Sequence, residues 1–390
     1  MNNSTFNKTP LLLALMVMAT GQIASSIIFP SLPMISQDLS VSPDQAQKIV
    51  SLFLIGFGVS QLFYGPFSDL QGRRTAFILG QIIFLTGAVI SYAYASNVDA
   101  VAYGRLVQGL GAGSCSVLGK SIIRDKYEGE ALSLALSYLV VITSIVPILS
   151  PVLGGWIATH LGWQAVFAFI VNYVAATFAL AWFVLPETLT HAKKKFDIMR
   201  VVKAYSAIAL NRQVISSASY NWVAYLGNII TLTVFPYLLQ DNLGLTASEY
   251  GVLIVIPSFG LLAGSGIASL LNGRLSVFHT LLLAVAILLC SGVWFLVVEM
   301  TILNLLAGFT AFAVAQGIFL PVSMTMLLAP HKSKAGLVSA YAGAIQMSVA
   351  GLLGGGLLSV WVKTQLDLGL LYCGLAVVLL FVTTTNKAQR

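Results

Sequence analysis

Charge is scarce in this 390-residue chain. Asp, Glu, Lys and Arg together make up 8% of the residues, and hydrophobic residues make up 58%. A soluble domain carries roughly 25% charged residues. A water-facing surface of ordinary kind cannot be built from this composition, so the sequence predicts an integral membrane protein.

Cysteines and clustered metal ligands are also few. The three cysteines lie in apolar runs without metal-like spacing, which is typical of small buried residues rather than of disulfides or a zinc site. The four histidines fall at predicted helix ends, and the chain has neither an H-E-x-x-H motif nor a phosphate-binding loop. We therefore predict no catalytic residues, no metal and no cofactor. A membrane-embedded enzyme remains the less favoured alternative.

Long charge-free runs are what the chain has in abundance. A spanning helix needs about 20 mostly apolar residues. The 131–186 run is long enough for two such helices, with THLGWQ supplying a polar turn between them. Twelve spans are predicted from the runs 9–37, 49–68, 75–98, 100–119 (interrupted by Arg105), 131–186, 213–240, 250–273, 275–298, 300–330, 335–362 and 368–386.

The basic residues predict the orientation. With both termini in the cytoplasm, 17 of the 20 Lys and Arg residues lie inside, Lys48 and Lys363 lie outside, and Arg105 lies within a span. The net charge of +7 is thus a topology signal, and no nucleic-acid partner is predicted. A cleaved signal peptide is the alternative for the first span, but its apolar run continues to Pro30, which is too long. We expect a bacterial inner-membrane protein.

The longest polar connection divides the spans six and six. We predict an N-terminal six-helix bundle over 1–188, a cytoplasmic central loop containing HAKKK over 189–212, and a C-terminal bundle over 213–390. This layout is expected of a parallel-repeat transporter with its site between the halves. PILSPVLGG in the fifth span and QMSVAGLLGGG in the eleventh support the repeat, although close helix packing explains their small residues equally well.

The stretch GPFSDLQGRRT, after the second span, resembles the signature loop of the major facilitator superfamily. Leu70 departs from the pattern, which usually has a basic residue there. Glycines permit a tight turn, and an acid beside basic residues can pair with them or cap helix ends. A simple positive-inside anchor is the alternative. The residues that match are Gly65, Asp69, Gly72, Arg73 and Arg74.

Further stretches agree with this resemblance. RLVQGLGAG, from Arg105, is similar to the fourth-span motif of proton-coupled members, and PET at 186–188 resembles the end of the sixth span in twelve-span drug:proton antiporters. SPVLGG resembles the fifth-span antiporter motif through Pro151, Gly154 and Gly155, with serine in place of its first glycine. Over essentially the whole chain, the likeness is to the EmrD-like multidrug efflux branch. It implies an all-α fold of two six-helix bundles around a central cavity.

The resemblance also implies that spans 1, 4, 7 and 10 line this cavity and that spans 2, 5, 8 and 11 close it. Helical spacing then selects the inward residues. Their aromatic, amide and methionine side chains suit hydrophobic or amphipathic compounds. Lipid contact or core packing is the alternative for each aromatic. The predicted cavity residues are Gln22, Ser26, Phe29, Arg105, Gln108, Asn221, Trp222, Tyr225, Asn228, Gln316, Phe319, Met324, Tyr341 and Gln346.

Proton coupling has two candidate residues. A guanidinium inside a bilayer costs about 2.5–3.5 kcal/mol on insertion scales, so Arg105 is predicted to point into the bundle and to bond first-span carbonyls at 22–26. Snorkelling to the surface is the alternative. No acid lies deep in any predicted span. Asp38 is the candidate for a proton step, because partial burial raises a carboxyl pKa; a solvated loop acid is the alternative.

A conformational switch is predicted around Asp69. Its carboxylate should lie near the start of the eleventh span, around Gly336 to Ser339, with Lys120 or Arg124 as its partner. The sequence as a whole predicts proton-coupled efflux of hydrophobic or amphipathic drugs by a monomer in contact with lipid. Proton-coupled transport of one small metabolite is the alternative, because a fold fixes neither substrate nor direction.

Overall fold

Helices account for the regular structure in the computed structural model, which describes residues 8–184 and 198–385. Twelve helices in these ranges are long and apolar enough to cross a membrane, as predicted. They are α1 (Thr9–Asp38), α2 (Pro43–Gln71), α3 (Arg73–Ala93), α4 (Val98–Lys126), α5 (Gly129–Leu161), α6 (Gln164–Phe183), α7 (Arg212–Asn242), α8 (Ala247–Leu271), α9 (Val277–Val297), α10 (Ile302–His331), α11 (Ala335–Val360) and α12 (Gln365–Thr385).

Four of the spans are interrupted. A 3₁₀ turn at Phe29–Ser31 divides α1, and α8 breaks just before Pro257, where the ring removes a backbone donor. π-helical turns occur at Tyr237–Asn242 in α7 and at Ala350–Gly354 in α11. π-helical turns are rare in proteins, and those that do occur are often found at functional sites. All four interruptions lie on helices that meet the other half of the molecule.

Successive helices run in opposite directions, which defines two ends. We call the end where α1 begins and α12 finishes the terminal face, and the opposite end the far face. Helices α1–α6 form one six-helix bundle and α7–α12 the other. Within the first half α4 packs most closely on α2 and α3, and within the second half α8 packs on α10 and α9 on α12.

A short helix between the halves was not predicted. The linker helix (Ile198–Ala209) lies within the stretch expected to be a loop, whereas HAKKK and PET fall outside the described residues. Val201, Tyr205 and Ile208 follow the i, i+4, i+7 spacing of one helix face. Tyr205 and Ile208 are buried, and the helix contacts α7 and α11 of the second half.

The two halves are bonded together at the far face. Ser36 Oγ lies 2.9 Å from the Tyr237 hydroxyl, and Gln240 donates to the Pro30 carbonyl at 3.0 Å. Near the same face α5 packs closely against α8. A methyl group added at Gly251 of α8 would lie only 2.5 Å from the Pro151 carbonyl oxygen of α5. The far face is therefore sealed.

A second contact between the halves runs along α2 and α11. A methyl group at Gly58 would lie 2.6 Å from the Ala344 carbonyl oxygen, and one at Gly343 would lie 2.9 Å from Gln61 Oε1. Nearer the terminal face the helices separate, because a methyl group at Gly65 or Gly336 would have no atom within 4 Å. In this conformation the halves are closed at the far face and apart at the terminal face.

Candidate functional site

Two amide side chains pair near the middle of the second half. Asn228 of α7 donates to Gln316 Oε1 of α10 at 3.2 Å. Gln316 is buried and Asn228 is half-buried. Each amide has donor or acceptor capacity beyond this one bond. The pair can therefore bond a polar group of a ligand without presenting a charge to it.

Aromatic rings lie towards the terminal face on α7 and α11. Trp222 donates its indole N–H to the Ala342 carbonyl at 2.9 Å, and its ring meets that of Tyr341 edge-on at 6.4 Å. Between these rings and the amide pair, the Tyr225 hydroxyl donates to Met347 Sδ at 3.3 Å. Trp222, Tyr225 and Tyr341 are all half-buried. We call the amide pair, these rings and Met347 the amide–aromatic surface.

Arg105 lies fully buried in the first half. Its Nε donates to the Ile49 carbonyl of α2 at 3.3 Å, and its Nη1 donates to Gln108 Oε1. Its guanidinium carbon lies 4.0 Å from the centre of the Phe53 ring, close enough for a cation–π contact. Arg105 thus points into the bundle rather than to lipid. Its described partners are on α2 and α4, whereas carbonyls of α1 were expected.

Two donors beside Arg105 are buried without an acceptor. They are Arg105 Nη2 and Gln108 Nε2, and neither has a hydrogen-bond partner in the part of the chain that the structure describes. A buried charged donor left unpaired is costly. The pair can hold an acceptor oxygen or a water, and its fixed positive charge disfavours a proton on any group nearby.

The other predicted cavity residues differ in how deeply they are buried. Gln22, Met324 and Gln346 are half-buried, and Asn221 is buried on α7. Ser26 is buried, and its hydroxyl lies 3.2 Å from that of Ser25.

Two predicted aromatics do not line an open cavity in this conformation. Phe29 is sealed within the far-face core that joins the halves. Phe319 is fully buried and stacks on Tyr220, whose hydroxyl lies 3.0 Å from Thr383 Oγ1 of α12. Phe319 therefore packs inside the second half. Helical spacing alone could not separate this interior face of α10 from the face that carries Gln316.

The signature stretch occupies the end of α2 rather than a loop. Gly65 lies inside that helix, and only Gly72, with φ of 104°, forms the turn. Asp69 pairs with Arg73 of α3, not with Lys120 or Arg124 as expected. Those two side chains are exposed.

The two arginines of the stretch have different partners. Arg73 also pairs with Asp125 of α4, at 3.2 Å, and donates to Ser68 Oγ at 2.7 Å. Arg74 turns away to α6, where it donates to the Trp182 carbonyl at 3.0 Å and lies over the Trp182 ring. Arg73 thus ties the ends of α2, α3 and α4 together at the terminal face.

The fifth-span motif lies at two helix contacts. A methyl group at Gly155 would meet the Ala247 carbonyl oxygen of α8, and one at Gly154 would meet the Ile27 carbonyl oxygen of α1. Pro151 lies beside Gly251 of α8. The motif therefore brings α5 close to both halves at the sealed end.

Asp38 is held by the turn before α6 and by the first residue of α6. Its Oδ2 accepts from the indole N–H of Trp163 at 2.8 Å and from the Gln164 amide at 3.1 Å. Asp38 is exposed at the far face. These bonds give Trp163 and Gln164 a partner at the end of α1. A proton role for Asp38 stays a prediction.

Three residues near these sites were not predicted. Tyr205 stacks on Tyr341 from the linker helix, Met347 bonds Tyr225, and Phe53 covers Arg105. Only the apolar spacing of the linker helix could have indicated Tyr205. Among the described residues, no group of three or more His, Cys, Asp or Glu is placed to hold a metal ion.

Comparison with known proteins defines the class. The family described as Major Facilitator Superfamily matches residues 13–222. The chain belongs to the major facilitator superfamily, a family of transporters. This membership confirms the assignment as a transporter rather than an enzyme, and the structural neighbours below confirm the fold.

Its relatives include multidrug resistance proteins. The chain is 28% identical to Multidrug resistance protein D of Escherichia coli K12 over 360 residues, which is 89% of this chain and 88% of the relative. It is 26% identical to Multidrug resistance protein MdtL of Salmonella schwarzengrund over 366 residues, 92% and 90% of the two chains. The resemblance to the EmrD-like branch is thereby confirmed.

Two solved structures share the fold. One is a D-xylose-proton symporter, with a TM-score of 0.67, 15% identity and 95% of each chain covered. The other is a bacterial homologue of the human lysosomal transporter Spinster in an inward-facing, unoccupied conformation, with a TM-score of 0.68, 14% identity, and 98% of this chain and 95% of that chain covered. At these identities the likeness concerns the fold.

Proposed function

We propose that this protein exports small hydrophobic or amphipathic compounds across the bacterial inner membrane in exchange for protons, by alternating access between its two halves. The observation that carries the proposal is the amide–aromatic surface. It offers rings, a thioether and amides, and no ionised group. Such a surface binds apolar and weakly polar compounds of many shapes, since ring contacts and soft sulfur contacts need little geometric precision.

The spacing of the groups on this surface indicates what kind of compound fits it. Trp222 and Asn228 are six residues apart on α7, about 9 Å along the axis at 1.5 Å per residue. A compound with an aromatic part and a hydrogen-bonding group roughly that far apart matches both ends of the surface. The names of the relatives, which are multidrug resistance proteins, support efflux over uptake of a single metabolite.

Coupling to protons is assigned to the first half. Arg105 carries a fixed charge beneath the sealed far face, and its Nη2 and the Gln108 Nε2 have no acceptor among the described residues. When the far face opens, water and protons reach this region, and the charge of Arg105 favours proton loss from a nearby group. We assign the terminal face to the cytoplasm and expect a monomer surrounded by lipid, with no bound cofactor.

Accumulation of a fluorescent cation tests the proposal. Energised cells expressing the protein should hold less ethidium than cells with an empty vector, and a protonophore should abolish the difference. Equal accumulation of ethidium and of several neutral aromatic dyes in both cell types would contradict drug efflux. Uptake of one metabolite, driven by a proton gradient, would support the alternative.

Thiol labelling tests the orientation. Cysteines placed near Ser4, Lys194 and Ala388, which lie outside the described residues, should resist an impermeant thiol reagent in intact cells and react after permeabilisation. A cysteine at Ser40, beside the far face, is the positive control because that residue is exposed. Labelling at Lys194 in intact cells would overturn the assignment of the terminal face.

A further inference from the structure

The linker helix buries the hydroxyl group of one tyrosine. Tyr205 is 8% exposed, and its ring stacks on Tyr341 of α11 at 6.4 Å. Its hydroxyl is buried and has no hydrogen-bond partner among the described residues. Burial and, to a smaller degree, the charge of Asp69 raise the pKa of Tyr205 to about 12. The hydroxyl is therefore a donor at physiological pH, and a buried donor without a partner is unfavourable.

The register of α2 against α11 shows what lies opposite. The helices are antiparallel, with Gln61 facing Gly343 and Gly58 facing Ala344 and Ser348. Extending this register by two turns brings Asp69 level with residues 335–337, at the start of α11. The same extension crosses Gly65 and Gly336, which face open space here. Closing that gap carries the end of α2 towards the second half, where the linker helix is docked.

Asp69 has capacity for a second donor. Its carboxylate is 64% exposed and its described partner is Arg73, through Oδ1. An ionised carboxylate accepts several hydrogen bonds, and those to a hydroxyl are short and strong. We propose that Tyr205 is a positioning residue that donates its hydroxyl hydrogen bond to Asp69 when the terminal face closes, so that the linker helix holds the signature stretch of the first half against the second.

This bond selects one conformation. It is absent here, where the terminal face is open and the Tyr205 ring stacks on that of Tyr341. The hydroxyl is already out of water, so forming the bond removes little further hydration from it. The inference rests on the alternating access of the proposed function, and it needs no statement about substrate or coupling ion.

Distance measurement between spin labels tests the bond directly. Labels at cysteines replacing Ser137 of α5 and Ser269 of α8, both exposed at the terminal ends of these helices, report on the gap. In the parent, purified into lipid nanodiscs, the distances should fall into a long, open population and a short, closed one. Tyr205→Phe keeps the ring and removes only the hydroxyl, so it should lower the closed-to-open ratio about fivefold.

A double-mutant cycle separates the bond from a structural effect. Asp69→Asn should lower the same ratio, and Tyr205→Phe added to it should cause no further change, because the two groups act through one bond. Tyr103→Phe, at a tyrosine 63% exposed at the other end of the molecule, is the matched control and should leave the ratio unchanged. An unaltered ratio in Tyr205→Phe, or full additivity with Asp69→Asn, would overturn the inference. A parent that shows only long distances under every condition would overturn alternating access and the inference with it.

Discussion

The two halves of this transporter use polarity in opposite ways. The first half buries a full charge, Arg105, under Phe53 and close to the sealed far face. The second half places neutral groups, among them Asn228 and Gln316, in the middle of helices that reach towards the open terminal face. A buried charge is expensive and is kept for a specific task, whereas neutral amides and rings tolerate many ligands. In the proposed function, coupling therefore belongs to the first half and substrate binding to the second.

Removing the buried charge should have the largest effect. Arg105→Ala removes both the guanidinium and its hydrogen bond to α2, so we expect efflux to fall at least tenfold, a loss of about 1.4 kcal/mol or more. Arg105→Lys keeps the charge without the planar fork and should be partly active at most. Dye efflux per amount of membrane-inserted protein measures both.

The control for this charge is Arg274→Ala, in the exposed turn between α8 and α9. It should transport like the parent. If Arg105→Ala does so as well, the charge of Arg105 has no part in coupling. The proposed division of roles between the halves is then wrong.

Asp69→Asn should come next in size. The change removes the negative charge that pairs with Arg73 at the end of α2. We expect a severalfold loss of efflux with normal abundance in the membrane, because the pair lies at the gap between the halves and not in a core. Immunoblotting of membranes beside transport assays separates these effects.

A matched acid lies at the other end of the same half. Asp99 pairs with Lys48 at 3.6 Å, and both side chains are more than half exposed. Such pairs contribute about 0–1 kcal/mol, so Asp99→Asn should be close to neutral. Equal losses in the two variants would mean that Asp69 has no special role.

Much of the fold followed from the sequence, but less of the site did. Charge-free runs predict twelve spans because the bilayer sets helix length. Helical spacing brings Asn221, Tyr225 and Asn228 to one face of α7, with Trp222 adjacent, but it cannot say that Phe319 faces inward to Tyr220. Nor does spacing reveal partners between helices. Asp69 pairs with Arg73 because only Gly72 separates the end of α2 from the start of α3. A loop was predicted here, so the sequence did not indicate this pair.

The amide pair should affect selectivity rather than coupling. Gln316→Ala or Asn228→Ala removes one hydrogen-bonding group, worth about 0.5–1.5 kcal/mol, or roughly twofold to tenfold in transport. The loss should appear for compounds with a polar group and not for purely apolar ones. Apparent affinities for a panel of dyes test this.

Asn172→Ala is the matched control for the amides, since Asn172 is exposed on α6 and bonds its own helix at the Ala168 carbonyl. The pH dependence of efflux should be the same in all these variants and in the parent. A shifted pH profile in Gln316→Ala would place coupling in the second half as well and contradict the division of roles.

Tyr225→Phe should have the smallest effect. The substitution removes only the hydroxyl that donates to Met347 Sδ, and a thioether is a weak acceptor. We expect about a twofold change in apparent affinity for aromatic dyes and no change in thermal stability. Tyr220→Phe is the informative comparison, because its hydroxyl lies 3.0 Å from that of Thr383 in the interior of the second half. That variant should lower the melting temperature and leave dye selectivity as it is. If Tyr225→Phe lowers stability instead and changes no affinity, Tyr225 belongs to the packing of the second half, and the surface that binds substrates is smaller than proposed.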